Sequence, residues 1–142
     1  MSDEESHREL VFVYGTLRRG GSNAFRMEGA GFRGAARVEG ELHAITWYPG
    51  LTLKPGAGWV IGELYAVRPE QMAALDEFEG LSAGEVEGSE YRRVRVPVVS
   101  EDGAEEEAWA YEWIGPVDPL RVVSSGDWLQ RAEDEGTDPT VK

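Results

Sequence analysis

Apolar residues fall in short runs along the chain, and glycine, proline and acidic residues separate them. Leu10-Val11-Phe12-Val13-Tyr14 is a continuous apolar run rich in β-branched and aromatic residues, which predicts a buried strand. It leads into Gly15-Thr16-Leu17, Arg18-Arg19 and Gly20-Gly21-Ser22-Asn23. Asn23–Met27 predicts one helical turn, capped by Ser22 or Asn23. In Ala35–Thr46 apolar and polar positions alternate around Val38, Leu42 and His43, broken by Gly40, which predicts a bent or bulged strand. Trp47-Tyr48-Pro49-Gly50 predicts a turn. Leu51–Leu53 and Trp59–Val67 follow as strands around a Pro55–Gly58 turn, and Gly62 predicts a bend or a close backbone approach.

The pattern changes at Pro69. Pro suits a first helical turn, Glu70–Leu75 are mostly good helix formers, and Gly80 stands where a C′ glycine ends a helix. A helix is therefore predicted from Pro69 to Phe78. Leu81–Glu90 is acidic, glycine-containing and loop-like. Tyr91–Ser100 and Ala108–Trp113 predict two more strands, joined around Asp102-Gly103. Ser124–Glu133 predicts a short helix, with Ser125 or Asp127 near its cap and Trp128 and Leu129 facing inward. Strands outnumber helices, with no internal repeat and no linker long enough to separate domains. The expectation is one α+β domain over 1–142, with a curved, glycine-bent sheet or partial barrel, a core of about 9–130, and a loose N-terminal arm and tail. Trp47, Trp59, Trp109 and Trp113 read most simply as core or strand-face aromatics.

Composition narrows the chemistry. A chain of 142 residues can bury roughly 70% of its unfolded surface in one domain. Its 14 basic and 27 acidic residues give a net charge of −13, which argues against nucleic acid or an anionic membrane as partner. There is no cysteine, so disulfides, thiolate catalysis and zinc–sulfur sites are excluded. The two histidines, His7 and His43, are too few for a multi-histidine metal site or a triad. The charged N-terminus resembles no secretory signal, and no run approaches the ~20 apolar residues that span a bilayer. A soluble cytoplasmic protein is the expectation.

Two stretches carry candidate chemistry. The first is the strand that ends at Tyr14-Gly15-Thr16-Leu17, because such a strand-to-loop junction leaves backbone N–H groups free to face a ligand. The plain alternative is a tight turn out of a core strand. Gly20-Gly21 lacks both the Gly-Lys-Ser/Thr ending of a phosphate loop and the spacing of a dinucleotide fingerprint. Arg18 and Arg19 read as solvated loop residues, with substrate contact as the less favoured reading.

The second stretch is Leu75-Asp76-Glu77-Phe78-Glu79-Gly80. At ~100° per residue, Glu79 lies about 20° from Met72 on the helical wheel, whereas Glu77 points to solvent. Burial beside Met72 and Leu75, the Asp76 carboxylate and the negative end of the helix dipole would each raise the pKa of Glu79. A carboxyl poised near neutrality suits general acid/base work. The competing reading is that the helix frays at Gly80, so that Glu79 turns to water or pairs with Arg92 or Arg93.

Together the two stretches resemble the γ-glutamylcyclotransferase-like family, which includes the γ-glutamylamine cyclotransferases and the AIG2-like proteins. Tyr14-Gly15-Thr16-Leu17 with its basic, glycine-rich loop is similar to the family's N-terminal signature, and Leu75–Gly80 to the motif that ends in its catalytic Glu. Tyr91-Arg92-Arg93, Trp109-Ala110-Tyr111 and Ser125-Gly126-Asp127-Trp128 resemble later segments, so the likeness runs from about Val11 to Leu129. It implies a small mixed β-barrel with a central and a C-terminal helix packed outside and a pocket at the barrel mouth. It implies cyclisation of a γ-glutamyl amine or amino acid to 5-oxoproline, without metal or cofactor, and prescribes no oligomeric state. Glu79 would be the acid/base. Tyr14, Gly15, Thr16, Leu17, Tyr91 and Tyr111 would bind substrate, the loop N–H groups holding its α-carboxylate or the developing oxyanion. Leu81–Glu90 departs from the family pattern as an insertion-like stretch. The rival from another class is a catalytically silent small-ligand module on the same fold, which would have no need of an acid at Glu79.

Overall fold

The first strand, β1 (Glu9–Val13), is buried on both faces, which is why its sequence is apolar without alternation. In this computed structural model, which describes residues 8–81, 88 and 90–130, the others are β2 (Gly31–Ala44), β3 (Pro49–Leu53), β4 (Trp59–Val67), β5 (Tyr91–Ser100) and β6 (Glu105–Trp113). Helix α1 (Pro69–Phe78) links β4 towards β5, and short 3-10 turns occupy Ala24–Met27 and Pro119–Arg121.

Antiparallel pairing joins β1 to β4, β4 to β2, β2 to β5 and β5 to β6. A parallel contact of β6 with β1, at Val11 and Trp109, closes the ring. The result is a closed five-strand mixed barrel, with β3 as an extra strand between β2 and β6. Closure requires β2 to bend: residues 31–39 pair with β4, residues 40–44 pair with β3, and the register shifts between Phe32 and Gly34.

Two apolar layers follow from the strand period of two. Phe12, Val38, Leu42, Leu51, Val60, Leu64, Val96 and Val98 fill the barrel. Val11 and Val13, on the opposite face of β1, pack outward against Met72 and Leu75 of α1. Each fully buried aliphatic side chain of this kind stabilises by about 1.5–3 kcal/mol. Gly62 is a point of close approach: a Cβ there would run into the Val13 carbonyl and lie 2.6 Å from Phe12 Cζ.

Helix α1 starts with Pro69 in its first turn and ends as the glycine predicts. Gly80, at φ +88°, lets its own N–H reach the Glu77 carbonyl at 3.0 Å and the Leu81 N–H reach the Asp76 carbonyl at 2.9 Å. This is a Schellman closure with Glu79 as the C-cap residue, and buried Leu81 joins Leu75 in the outer core.

Several boundaries differ from expectation. The bend between β2 and β3 lies at Thr46–Tyr48, and Pro49 and Gly50 open β3; proline is tolerated as a first strand residue. Strand β2 begins at Gly31 and not Ala35, and β6 at Glu105 and not Ala108, because long antiparallel partners hold polar segments in register. The turn at Ala24–Met27 is 3-10, and neither expected cap closes it: the Asn23 amide donates to Thr16 Oγ1 instead. The C-terminal helical turn begins at Trp128 with Asp127 as its cap, and its expected continuation to Glu133 lies outside the described residues. So do His7, most of Leu81–Glu90 and the tail. Trp113 is core, but Trp47 is 65% and Trp59 43% exposed. No helix among the described residues is long and apolar enough to cross a membrane.

Candidate active site

The loop that leaves β1 folds back on its own carbonyls. Arg18 N donates to the Gly15 carbonyl, Gly21 N to Arg18 and Asn23 N to Thr16, at 2.7–3.0 Å. At Gly15 and Thr16 these bonds use the carbonyl and not the N–H. The N–H groups of Gly15, Thr16 and Leu17 find no protein acceptor among the described residues. Gly15 and Leu17 are buried, so such donors are costly unless a ligand or water meets them.

Glu79 reaches the same cavity from the end of α1. The Schellman closure excludes fraying, and the arginines offered as partners are occupied elsewhere. Arg93 Nε donates to Asp76 Oδ1 at 2.9 Å, and Arg92 Nη2 to Glu112 Oε1 at 2.8 Å. Among the described residues the Glu79 carboxyl makes no hydrogen bond or ion pair. Burial pushes its pKa up to about 7, the charges of Asp76 and Glu90 add to the rise, and Arg26 opposes it.

Three tyrosines line the same cavity. Tyr14 Oη donates to the Tyr111 carbonyl at 2.5 Å and accepts from Leu51 N at 3.2 Å. Tyr91 Oη donates to the Pro49 carbonyl at 2.7 Å, and Tyr111 Oη to Asp76 Oδ1 at 2.6 Å. Burial, first of all, drives all three phenol pKa values above their ordinary range, so they stay neutral. They shape the pocket and tie strands together, and Glu79 is the group brought to a proton-exchanging range.

Glu79, Tyr14, Gly15, Thr16, Leu17, Tyr91 and Tyr111 all line one cavity of about 250 Å³. Arg18 and Arg19 do not. Neither reading of the pair fits Arg18, which is largely buried and ion-paired with Glu63 and Asp127. Arg19 is exposed and stacks on Phe32.

Sequence reasoning missed Trp47, Tyr48, Phe78 and Glu90 on the cavity wall. Two adjacent aromatics in a predicted turn were the available signal for the first two. It also missed Arg26, whose guanidinium stacks 4.1 Å from the Phe78 ring centroid and acts on Glu79. No local pattern marks Arg26, because only packing brings the 3-10 turn to the end of α1. Among the described residues no three His, Asp or Glu side chains are grouped to hold a metal ion.

The fold and cavity define a small mixed-barrel domain with a pocket lined by the Gly15–Leu17 loop, a carboxyl and several aromatic side chains. Comparison with known proteins gives this class its family. The sequence profile described as gamma-glutamyl cyclotransferase, AIG2-like, matches residues 11–130, and the chain belongs to that family. It is 36% identical over 124 residues to the gamma-glutamylcyclotransferase family protein YtfP of Escherichia coli K12, covering 85% of this chain and 96% of that one. It is 39% identical over 87 residues to the human gamma-glutamylaminecyclotransferase, covering 52% and 55% of the two chains. An AIG2-like protein of Mus musculus has a similar crystal structure, with a TM-score of 0.65, 29% identity and coverage of 81% and 82%.

Proposed function

We propose that the chain is a cofactor-independent cyclotransferase that converts the γ-glutamyl group of a small amine or amino acid conjugate to 5-oxoproline. The observation that carries this reading is that Glu79, with its pKa raised to about 7, lines the same cavity as Gly15–Leu17, whose N–H groups have no protein acceptor among the described residues.

The substrate's α-ammonium gives a proton to the Glu79 carboxylate. The freed amine attacks the γ-carbonyl carbon, forming the ring C–N bond and a tetrahedral oxyanion. Collapse breaks the original amide C–N bond as protonated Glu79 returns its proton to the leaving nitrogen. The ring nitrogen then gives its second proton, by way of the freed Glu79 carboxylate, to the departing amine. The products are the lactam and an ammonium ion, and atoms balance without water or an oxidant. Ring closure is intramolecular, so most of the rate comes from holding a near-attack conformer, and the acid/base adds about 10²–10⁴-fold. The N–H groups of Gly15, Thr16 and Leu17 bind the α-carboxylate or the oxyanion, which lets a strongly acidic protein take an anionic substrate. Tyr14, Tyr91 and Tyr111 form the neutral wall against which the glutamyl chain folds.

The test is incubation with a panel of γ-glutamyl amines and amino acids, with 5-oxoproline and free amine measured together. Turnover that Glu79→Gln reduces at least a hundredfold supports the reading. Binding without turnover by the native protein would replace it with the silent-module reading.

A further inference from the structure

The N–H groups of Gly15, Thr16 and Leu17, which have no protein acceptor among the described residues, need something to hold them, since the loop's internal hydrogen bonds engage the Gly15 and Thr16 carbonyls and none of these three N–H groups. Immediately after Leu17 the chain turns a charged side chain inward. Arg18 Nη1 donates to Asp127 Oδ1 at 2.8 Å, and its Nε lies 3.5 Å from Glu63 Oε2. The Arg18 and Glu63 side chains are each 11% exposed and that of Asp127 21%. The other Glu63 oxygen accepts from Arg19 N at 2.9 Å and from Tyr65 Oη at 3.3 Å.

Both anchors sit on hydrogen-bonded segments. Glu63 lies on β4 directly opposite Val13 of β1, so it sits beneath the loop's origin. Asp127 caps the C-terminal helical turn through Gln130 N, and the neighbouring Gly126 carbonyl accepts from Ile61 N of β4. None of the three clamp residues lines the cavity. Burial first, and the neighbouring Glu63 carboxylate next, push the Tyr65 phenol up to about 12.

We propose that Arg18, Glu63 and Asp127 form a clamp behind the pocket that fixes the backbone of Gly15–Leu17 and so sets substrate affinity. They are positioning residues, and the inference rests on the proposed function for what the amides bind. Two carboxylates on one guanidinium hold the loop from two elements, β4 and the C-terminal turn. A lysine, a point charge, satisfies one carboxylate well and not both in a fixed fork. Groups that hold the α-carboxylate alike in ground and transition states act on KM, not on kcat.

Arg18→Met, Arg18→Lys and Glu63→Gln are compared with the native protein. Two readouts are used: amide ¹⁵N heteronuclear NOE, and kcat and KM on whichever γ-glutamyl compound the panel finds. Glu63→Gln keeps an acceptor for the Arg19 N–H, so it serves if Arg18→Met fails to fold. The expected result is a fall in NOE at Gly15, Thr16 and Leu17, with Val60 and Val98 unchanged. KM should rise roughly ten- to a hundredfold, the loss of about one charge-assisted hydrogen bond, with kcat within about threefold. Arg18→Lys should fall between native and Arg18→Met. Native-like NOE at the three amides in both Arg18→Met and Glu63→Gln overturns the clamp. A loss confined to kcat assigns the amides to the oxyanion and overturns the claim that the clamp sets substrate affinity. If the native protein turns over no γ-glutamyl compound, the functional reading fails separately, and the clamp is then decided by the amide NOE.

Discussion

The titration of Glu79 offers the sharpest test of the site, and Arg26→Met is the perturbation that isolates it. With a pKa of about 7, roughly a tenth of the carboxyl is ionised at pH 6 and nine-tenths at pH 8, so kcat/KM should rise about tenfold across that interval. A carboxyl with the ordinary pKa near 4.3 would change by a few per cent over the same range. Arg26 favours the ionised form from the 3-10 turn, against burial and the charges of Asp76 and Glu90. Replacing it with Met moves the midpoint upward. The guanidinium is exposed and screened, so the change is a fraction of a unit. A rise of about half a unit lowers kcat/KM at pH 6 roughly threefold and leaves pH 8.5 nearly untouched. The assay is initial 5-oxoproline formation at low substrate from pH 5.5 to 9. The substrate's own ammonium titrates too, but its pKa in free solution is blind to an enzyme mutation, so a shifted limb belongs to the protein. A limb that stays in place in Arg26→Met, or that persists in Glu79→Gln, would refute the assignment.

Three further outcomes are expected. Glu79 has a higher pKa folded than unfolded, so the native protein loses stability as pH rises from about 4.5 through about 7. Glu79→Gln should therefore gain in melting temperature over native at pH 8, and the gain should vanish near pH 4. Tyr14→Phe strands the buried Leu51 N–H and one acceptor site on the Tyr111 carbonyl, which should cost about 1–3 kcal/mol in urea unfolding with an unchanged m-value. Gly62→Ala drives a methyl into the Val13 carbonyl and the Phe12 ring; it should cost at least about 1–3 kcal/mol by the same measurement, whereas Gly31→Ala in β2, whose added Cβ would meet nothing nearer than 3.6 Å, should cost less.

What the amino-acid sequence determined by itself was whatever depends on near neighbours. The apolar run at Leu10–Tyr14, the strand-like run at Tyr91–Ser100, and Pro69 with Gly80 bracketing α1 are local patterns, and each element formed where its pattern lies. The wheel position of Glu79 relative to Met72 is local as well, which is why the carboxyl could be singled out. Tertiary structure alone decided the rest. A partner strand carried β2 back to Gly31, and pairing placed Pro49 and Gly50 in β3, because register is a property of two strands and not of one. Arg18 looked like a loop cation until the fold brought Glu63 and Asp127 to it from 45 and 109 residues away along the chain. Arg26 and Glu90 act on Glu79 through space, and that coupling depends on distances no sequence pattern encodes. Residue type and period set which groups could do chemistry. Barrel closure set which of them share a pocket, and how far burial moves the proton on Glu79.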